Sequence, residues 1–317
     1  MRRVLVTGAS GFIGRALVAD LAARGYAVRA ASRRPEALAL PRGAEGALVE
    51  RHRSPDLSDH ADWASLLAGV DIVIHAAAIA HTQGIAESAF ETINHRAVAR
   101  LAEAARGKAE RFVFLSSIRA QSGTASPTLL TEADAPRPAD PYGRAKLAAE
   151  KALACSGTPF VVLRPVLVAG PNPSGNLAAL LRLAAGGLPL SLDGFTARRS
   201  LVALADVAAA VAHVLEGAAH LGETYILAHP EPIAVGAIFA ALGEGLGRKA
   251  GRFPVPAALL SALLALTRRS AMRERLFGDL TASPAKLIAT GWSPRVSPRA
   301  ALVEMGAVYR RGRSASA

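Results

Sequence analysis

Val4-Leu5-Val6-Thr7-Gly8-Ala9-Ser10-Gly11-Phe12-Ile13-Gly14 sets three glycines, each separated by two residues, between a short apolar run and a stretch of helical character that reaches Arg24. The apolar run reads as a buried strand. Gly8 permits the tight turn out of it, Gly11 lets backbone approach a pyrophosphate, and Gly14 lets the following helix pack against the strand. The start of that helix offers unpaired N–H groups and the positive end of its dipole to a phosphate. A glycine triplet alone is weak, because loops and caps use glycine too. A strand before it and a helix after it point to a nicotinamide dinucleotide, lined by Gly8, Gly11, Phe12, Ile13 and Gly14.

Outward from this turn the chain keeps alternating. Strands are expected at residues 27–32, 48–51, 71–75, 112–115, 160–164 and 223–228, and helices at 63–67, 90–106, 141–155, 177–185 and 206–216. Short apolar strands separated by helices argue for an α/β fold with a doubly wound parallel sheet, the Rossmann arrangement. After Pro165 the sequence turns rich in Gly, Pro and Asn. The expected organisation is a dinucleotide-binding domain at 1–168, to which 201–228 returns, a smaller substrate-binding lobe at 169–309, and a disordered tail at 310–317.

Composition narrows the class. Apolar residues make up 51% of the 317, enough for a sizeable core, while aromatics are only 5%, so that core is built of Ala, Leu and Val. The formal charge is +12, carried mostly by Arg. Doublets at Arg2-Arg3, Arg33-Arg34, Arg198-Arg199, Arg268-Arg269 and Arg310-Arg311 are scattered, whereas a nucleic-acid binder gathers charge on one face or helix. The pattern argues against a nucleic-acid partner and suits an anionic small molecule. Cys155 stands alone and forms no internal disulfide, which fits a reducing compartment. The apolar run after Arg2-Arg3 is too short for a signal peptide. The most apolar stretch, 255–266, is about half a membrane span and reads as a buried helix. A cytoplasmic protein without a membrane span is expected.

Chemistry gathers at the strand ends. Ser32-Arg33-Arg34 closes the second strand, where a carboxylate would take a ribose 2′-hydroxyl and an arginine suits a 2′-phosphate. NADP(H) held by Arg33 is therefore expected, with Arg34 in reserve; NAD(H) is the alternative, and two solvated arginines the plain reading. Asp56-Leu57 follows the third strand, where a carboxylate can accept from an adenine amino group or simply cap a turn. Ser117 follows the strand 112–116, at the sheet's carboxyl edge. Tyr142 and Lys146 lie four apart, on one helix face. A nearby ammonium favours tyrosinate, so Lys146 is expected to lower the Tyr142 pKa, letting Tyr142 act as general acid or base.

Gly8-x-x-Gly11-x-x-Gly14, His75-Ala76-Ala77-Ala78, Asn94, Ser116-Ser117, Tyr142-x-x-x-Lys146 and Arg164-Pro165 occur in an order that resembles an extended short-chain dehydrogenase/reductase of the nucleotide-sugar epimerase and dehydratase group. The resemblance covers nearly the whole chain. It implies Ser117, Tyr142 and Lys146 as catalytic residues, Ala76 and Ala77 beside the cofactor, and hydride transfer between C4 of the nicotinamide and a sugar carbon. It also implies a homodimer through the helices 90–106 and 141–155, whose many alanines equally suit a plain core.

Departures from the family pattern narrow the reaction. Family dehydratases carry Asp-Glu directly after the catalytic Thr; Ile118-Arg119 stands there, which excludes dehydration. Epimerases usually carry Asn two residues past the position of Pro165; Leu167 stands there, which weakens that reading without removing it. Arg199-Ser200-Leu201-Val202 and Arg275-Leu276-Phe277-Gly278-Asp279 resemble the two segments whose arginines contact nucleotide phosphates. Asn176 is expected to add a contact to the diphosphate and His81 to reach the sugar, although surface arginines and a loop histidine are the ordinary reading of such residues. The pattern resembles a subgroup that includes 4-ketoreductases serving polysaccharide biosynthesis. The expectation is an NAD(P)-dependent oxidoreductase reducing the 4-keto group of a nucleotide-diphosphate sugar. A UDP-hexose 4-epimerase with tightly held NAD is the alternative. A dinucleotide-sensing or scaffold protein is the rival from another class, although such proteins often lack the Tyr or Lys present here.

Overall fold

Val4-Leu5-Val6, Ile72-Val73-Ile74, Phe112-Val113-Phe114 and Val161-Val162-Leu163 are all buried, as strands covered on both faces must be. They form the centre of β1 (Arg3–Thr7), β4 (Ile72–His75), β5 (Arg111–Leu115) and β6 (Phe160–Pro165); β2 (Ala27–Ser32) and β3 (Val49–Arg53) continue beyond β1. The computed structural model describes residues 1–41, 43–57, 62–79, 84–173, 175–186, 190–248, 253–258, 261, 266 and 270–314. Its main sheet runs β3-β2-β1-β4-β5-β6, with Glu223–Leu227 as the seventh strand beyond β6. Pairing from β3 through β6 is parallel, and Thr7 lies opposite both Ala31 and His75. This is the doubly wound α/β sheet the sequence predicts. Chain order reverses between β1 and β4, where such sheets open a crevice at their carboxyl ends.

The helices follow from their buried faces. α1 (Phe12–Ala23) buries Gly14, Leu17, Val18 and Leu21. α2 (Ala97–Ala105) and α3 (Pro141–Cys155) bring Ala97, Val98, Leu101, Ala149 and Leu153 together over Phe112, Phe114 and Val162. Alanine at these positions lets helices lie close to the sheet, which is how a core with few aromatics is filled. The single helix expected at 90–106 is instead a short helix Glu87–Phe90, a π-helical stretch Glu91–Arg96, and then α2. The wider π turn turns Asn94 inward. Its side chain accepts from the Ile79 N–H at 2.9 Å and donates to the Ile79 carbonyl at 3.0 Å, pinning the loop that leaves β4.

The chain divides into two compact units. The first holds Met1–Gln121, Ala135–Pro165 and Val207–Tyr225; the second holds Ser122–Asp134, Val166–Asp206 and Ile226–Ala317. The expected boundary at 168 falls at Pro165, and the return expected at 201–228 is 207–225. The excursion 122–134 has no composition shift to announce it. In the second unit Leu177, Leu181, Phe195, Ile238, Leu242, Leu302 and Met305 form the core. The tail expected to be disordered from 310 is instead helical to Ser314, as the last turn of Pro298–Ser314. Ala301, Leu302 and Met305 anchor that helix, and Arg311 and Arg313 sit at its carboxyl end, where cations oppose the dipole favourably. Half of the apolar stretch 255–266 lies outside the described residues. Among the described residues, no helix is long and apolar enough to cross a membrane.

A Cβ at Gly14 would stand 2.1 Å from the Gly8 carbonyl oxygen, whereas one at Gly243, within the helix Val235–Gly245, would meet nothing within 4 Å. Alanine at these two helical glycines should therefore act in opposite directions. Gly14→Ala is expected to lower stability by about 1–3 kcal/mol, and Gly243→Ala to raise it by about 0.5–1 kcal/mol. Urea unfolding of the two variants decides it, and effects of the same sign would contradict the packing described.

Candidate active site

Parallel strands bring their carboxyl ends to one edge. The glycine turn leaves β1 there, with Gly8 at φ +68°, a conformation a side chain disfavours. A Cβ on Gly8 would lie 2.7 Å from the Ala77 nitrogen, so the turn and the segment after β4 are in backbone contact. The Gly11 N–H donates to the Gly8 carbonyl at 2.8 Å, closing the turn. Gly11 then caps α1 without a side-chain hydrogen bond to its first turn, and Phe12 and Ile13 begin the helix half-buried. This narrow cradle and uncapped helix start fit the dinucleotide phosphates the sequence leads one to expect.

The neighbouring strand ends complete the rim. Ser32 donates to the Ser10 hydroxyl at 2.9 Å, tying the end of β2 to the glycine turn. Arg33 and Arg34 follow it and are both exposed. Past β3, Asp56 is exposed and Leu57 packs against the core. Past β4, Ala76 donates to the Thr7 carbonyl at 3.3 Å and Ala77 approaches the Thr7 hydroxyl at 3.4 Å. The same hydroxyl meets His75 Nδ1 at 3.0 Å. His75 is wholly buried, and among the described residues its Nε2 has no hydrogen-bond partner.

Past β5, Ser117 caps a short 3₁₀ turn, Ile118–Ala120, by accepting from the Arg119 N–H at 3.2 Å. Tyr142 and Lys146 come to it from the first two turns of α3. Asp140 starts that helix by accepting from the Gly143 N–H at 2.8 Å, and Pro141 occupies its first turn. A Cβ on Gly143 would fall 2.3 Å from the Arg119 carbonyl oxygen, so only glycine lets α3 approach the Ser117 turn this closely. The Phe90 ring meets Tyr142 edge-on at 6.2 Å. The Ser117 side chain acts on the Tyr142 phenol in the sense that favours its ionised form. Lys146 donates to the Leu115 carbonyl at 2.9 Å, with its nitrogen 4.6 Å above the Phe114 ring and 6.0 Å from that of Tyr142.

Burial governs the protonation of this group. It pushes the Tyr142 phenol up, while the Ser117 side chain and the Arg119 charge pull it down. It holds Lys146 down to about 7, with Glu150 acting the other way, and His75 down to about 3, with the Lys146 charge adding to the effect. The sequence predicts that Lys146 lowers the Tyr142 pKa. Here the downward pull comes from Ser117 and Arg119, because Lys146 is itself desolvated and only partly charged near neutrality.

The profile of the NAD dependent epimerase/dehydratase family matches residues 4–228. The chain belongs to this family. It is an extended short-chain dehydrogenase/reductase, as the motif order implies. It is 28% identical to the UDP-glucose 4-epimerase of Vibrio cholerae over 92% of this chain and 91% of that protein. It is 32% identical to the 2'-dehydrokanamycin reductase of Streptomyces kanamyceticus over 80% of this chain and 70% of that one. Among solved structures, MoeE5 in complex with UDP-glucuronic acid and NAD superposes with a TM-score of 0.77 at 25% identity, covering 98% of this chain and 99% of that chain.

The remaining residues that the family resemblance singles out lie in the second unit or outside the description. His81 lies outside the described residues. Arg275 reaches toward the Asn176 amide oxygen at 3.5 Å on an exposed surface. Arg199 is buried, and its guanidinium donates at 2.7 Å each to the carbonyls of Thr124, Glu274 and Arg275. Three of its five N–H groups are thus engaged in holding the segment that bears Arg275. Arg119, Asp140 and Glu150 were not singled out from the sequence. Asp140 ahead of Pro141 is a helix-start signature, and Glu150 repeats the four-residue spacing of Tyr142 and Lys146.

The shift of Lys146 has a measurable consequence. The unfolded chain keeps this lysine protonated up to about 10.5 and the fold only to about 7. The unfolded state therefore binds more protons between these values, and stability rises with pH across that window. Lys146→Met removes the dependence. The variant is expected to be favoured over the parent below about pH 7 and to lose that advantage as pH climbs toward 10.5. Urea unfolding across the range reads this directly, and a constant difference would contradict it.

Proposed function

We propose that this member of the family is an NAD(P)-dependent oxidoreductase that reduces the 4-keto group of a nucleotide-diphosphate sugar. The observation that carries the proposal is the assembly of Ser117, Tyr142 and Lys146 at the same sheet edge as the glycine turn. Gly8, Gly11 and Gly14 with the start of α1 would hold the pyrophosphate, Asp56 and Leu57 would flank the adenine, and Ala76 and Ala77 would lie beside the cofactor. When bound, a nicotinamide dinucleotide supplies hydride at C4 of its ring. Tyr142 gives its proton to the oxygen of the reduced carbonyl, and Ser117 holds that oxygen by hydrogen bonding. Lys146 would hold the nicotinamide ribose hydroxyls and, when protonated, return a proton to Tyr142. In the second unit, Arg275 with Asn176 would take the substrate diphosphate, and Arg199 would keep Arg275 in place. Tyr142→Phe is expected to lose about 10²–10⁴-fold in turnover, read by nicotinamide absorbance with a panel of 4-keto nucleotide sugars. Near-parental turnover would overturn the role given to Tyr142.

Arg33 and Arg34 favour NADPH as the reductant, because two exposed guanidinium groups follow β2 where a 2′-phosphate would lie. Arg33→Ala is expected to raise the KM for NADPH by about 10-fold or more while leaving that for NADH nearly unchanged, the loss of one charge-assisted hydrogen bond. Equal effects on both cofactors would remove Arg33 from the site.

A second reading is a UDP-hexose 4-epimerase, favoured by the similarity to the Vibrio cholerae enzyme over 92% of the chain. Stoichiometry separates the two. A reductase consumes one NADPH per product, whereas an epimerase interconverts many sugars on one retained cofactor.

A further inference from the structure

Arg119 joins the two halves of the catalytic group through three different atoms. Its N–H donates to the Ser117 hydroxyl oxygen at 3.2 Å. Its carbonyl oxygen lies where a Cβ on Gly143 would stand. Its guanidinium forms an ion pair with Asp140, which caps α3 one residue before the turn that carries Tyr142. Both side chains are mostly buried, at 17% and 14% exposed. Among the described residues no other ion pair spans the Ser117 turn and the start of α3. This is the position at which the resemblance puts an acid in the dehydratases, so an arginine here reverses the sign of the charge beside the catalytic pair.

We infer that the Arg119–Asp140 pair is a positioning device that fixes the Ser117 hydroxyl against the Tyr142 phenol and places a balanced cation beside that phenol. The inference rests on the role proposed for Tyr142 and deepens it. The charged groups on the elements packed against α3 are few. Glu91 is shared by His95 and Arg96, Glu87 pairs with Arg144, and Glu150 pairs with Arg164. Arg100 and Glu103 lie on α2, and Lys146 and Lys151 lie on α3 itself. The groups that draw the Tyr142 phenol down are Ser117 and Arg119.

The two partners of the pair then have opposite electrostatic effects. Arg119→Met removes a positive charge, destabilises tyrosinate and raises the Tyr142 pKa. Asp140→Asn keeps the helix cap, since Asn caps as well as Asp, but leaves Arg119 uncompensated and lowers the Tyr142 pKa. A residue with only a structural role would not separate the two variants in this way.

The test is a fluorine NMR titration of protein made with difluorotyrosine, whose more acidic phenol titrates while the fold persists. The chain has four tyrosines, and Tyr142→Phe assigns the signal. No cofactor or substrate is present, so the outcome is separate from whether the reductase reading stands. The Tyr142 midpoint is expected to fall by about one pH unit or more in Asp140→Asn, to rise by a similar amount in Arg119→Met, and to stay near the parent in Arg119→Lys, which keeps the charge. Should Arg119→Met fail to fold, the contrast between Asp140→Asn and Arg119→Lys decides alone. Identical midpoints in the parent and Asp140→Asn, or shifts of both charge-removing variants in one direction, would overturn the inference.

Discussion

Below the catalytic group a carboxylate and a guanidinium meet away from water. Glu150 and Arg164 are each 7% exposed, and such a pair is tolerable only when its remaining donors and acceptors are also satisfied. Here they are. Arg164 gives Nε to Glu150 Oε1 at 3.0 Å and Nη2 to Oε2 at 2.5 Å, and its Nη1 goes to the Gln121 side chain. Ser116 donates to Glu150 Oε1 as well. The node therefore holds four pieces of chain: the residue before Ser117, the end of the turn that carries Arg119, the turn of α3 beyond Lys146, and β6. Breaking one side of it would leave a buried charge, at a cost of about 3–5 kcal/mol, a large share of the stability of an ordinary domain. The register of α3 against β5 and β6 follows from that penalty, and so does the meeting of Ser117, Tyr142 and Lys146 at one edge.

The same logic accounts for four of the arginines. The last carbonyls of a helix lack partners and carry the negative end of its dipole. Arg29 donates to the carbonyls of Leu66 and Ala68, both at 2.9 Å, at the end of Ala64–Leu67. Arg111 reaches Val214 and Gly217 at the end of Leu204–Val214. Arg248 reaches Ala184 and Ala185 at the end of Gly175–Ala185, and Arg199 does the same within Ser270–Phe277. Arginines from other elements thus cap four helices. One of the scattered doublets, Arg198-Arg199, supplies a structural donor of this kind, and a formal charge of +12 overstates what is left to attract an anion. Arg33 and Arg34 lie exposed just past β2, at the carboxyl edge of the sheet.

Local signals made the first unit readable. β2 and α3 begin and end where the sequence puts them, because an apolar run interrupted only by Arg29 and closed by Ser32 defines the one, and an Asp-Pro start defines the other. The glycine turn was legible because its function depends on the absence of side chains. What could not be read were long-range pairings of polar groups. Nothing near Glu150 in sequence marks Arg164 or Ser116 as its partners, and a carbonyl that accepts from Arg199 leaves no trace in residue type. The π-helical turn at Asn94 was missed for the same reason, since the bonds that stabilise it lie on Ile79. The excursion of residues 122–134 into the second unit is tertiary as well, held by backbone bonds such as Ser126 N–H to the Asp279 carbonyl at 2.7 Å.

Burial disfavours the charged form of a group whatever its sign. At this edge it acts on three groups together, raising Tyr142 and lowering Lys146 and His75. Neutral tyrosine beside neutral lysine is therefore favoured over tyrosinate beside ammonium, because charging the pair carries a desolvation penalty at both groups. Tyr142 thus waits as the neutral phenol, the form that can give a proton away. For the proposed reaction this arrangement lets Tyr142 release its proton to a developing alkoxide and recover one from Lys146, while His75, wholly buried and neutral, adds no competing charge. Arg119, paired with Asp140, is the fixed cation against which that exchange takes place.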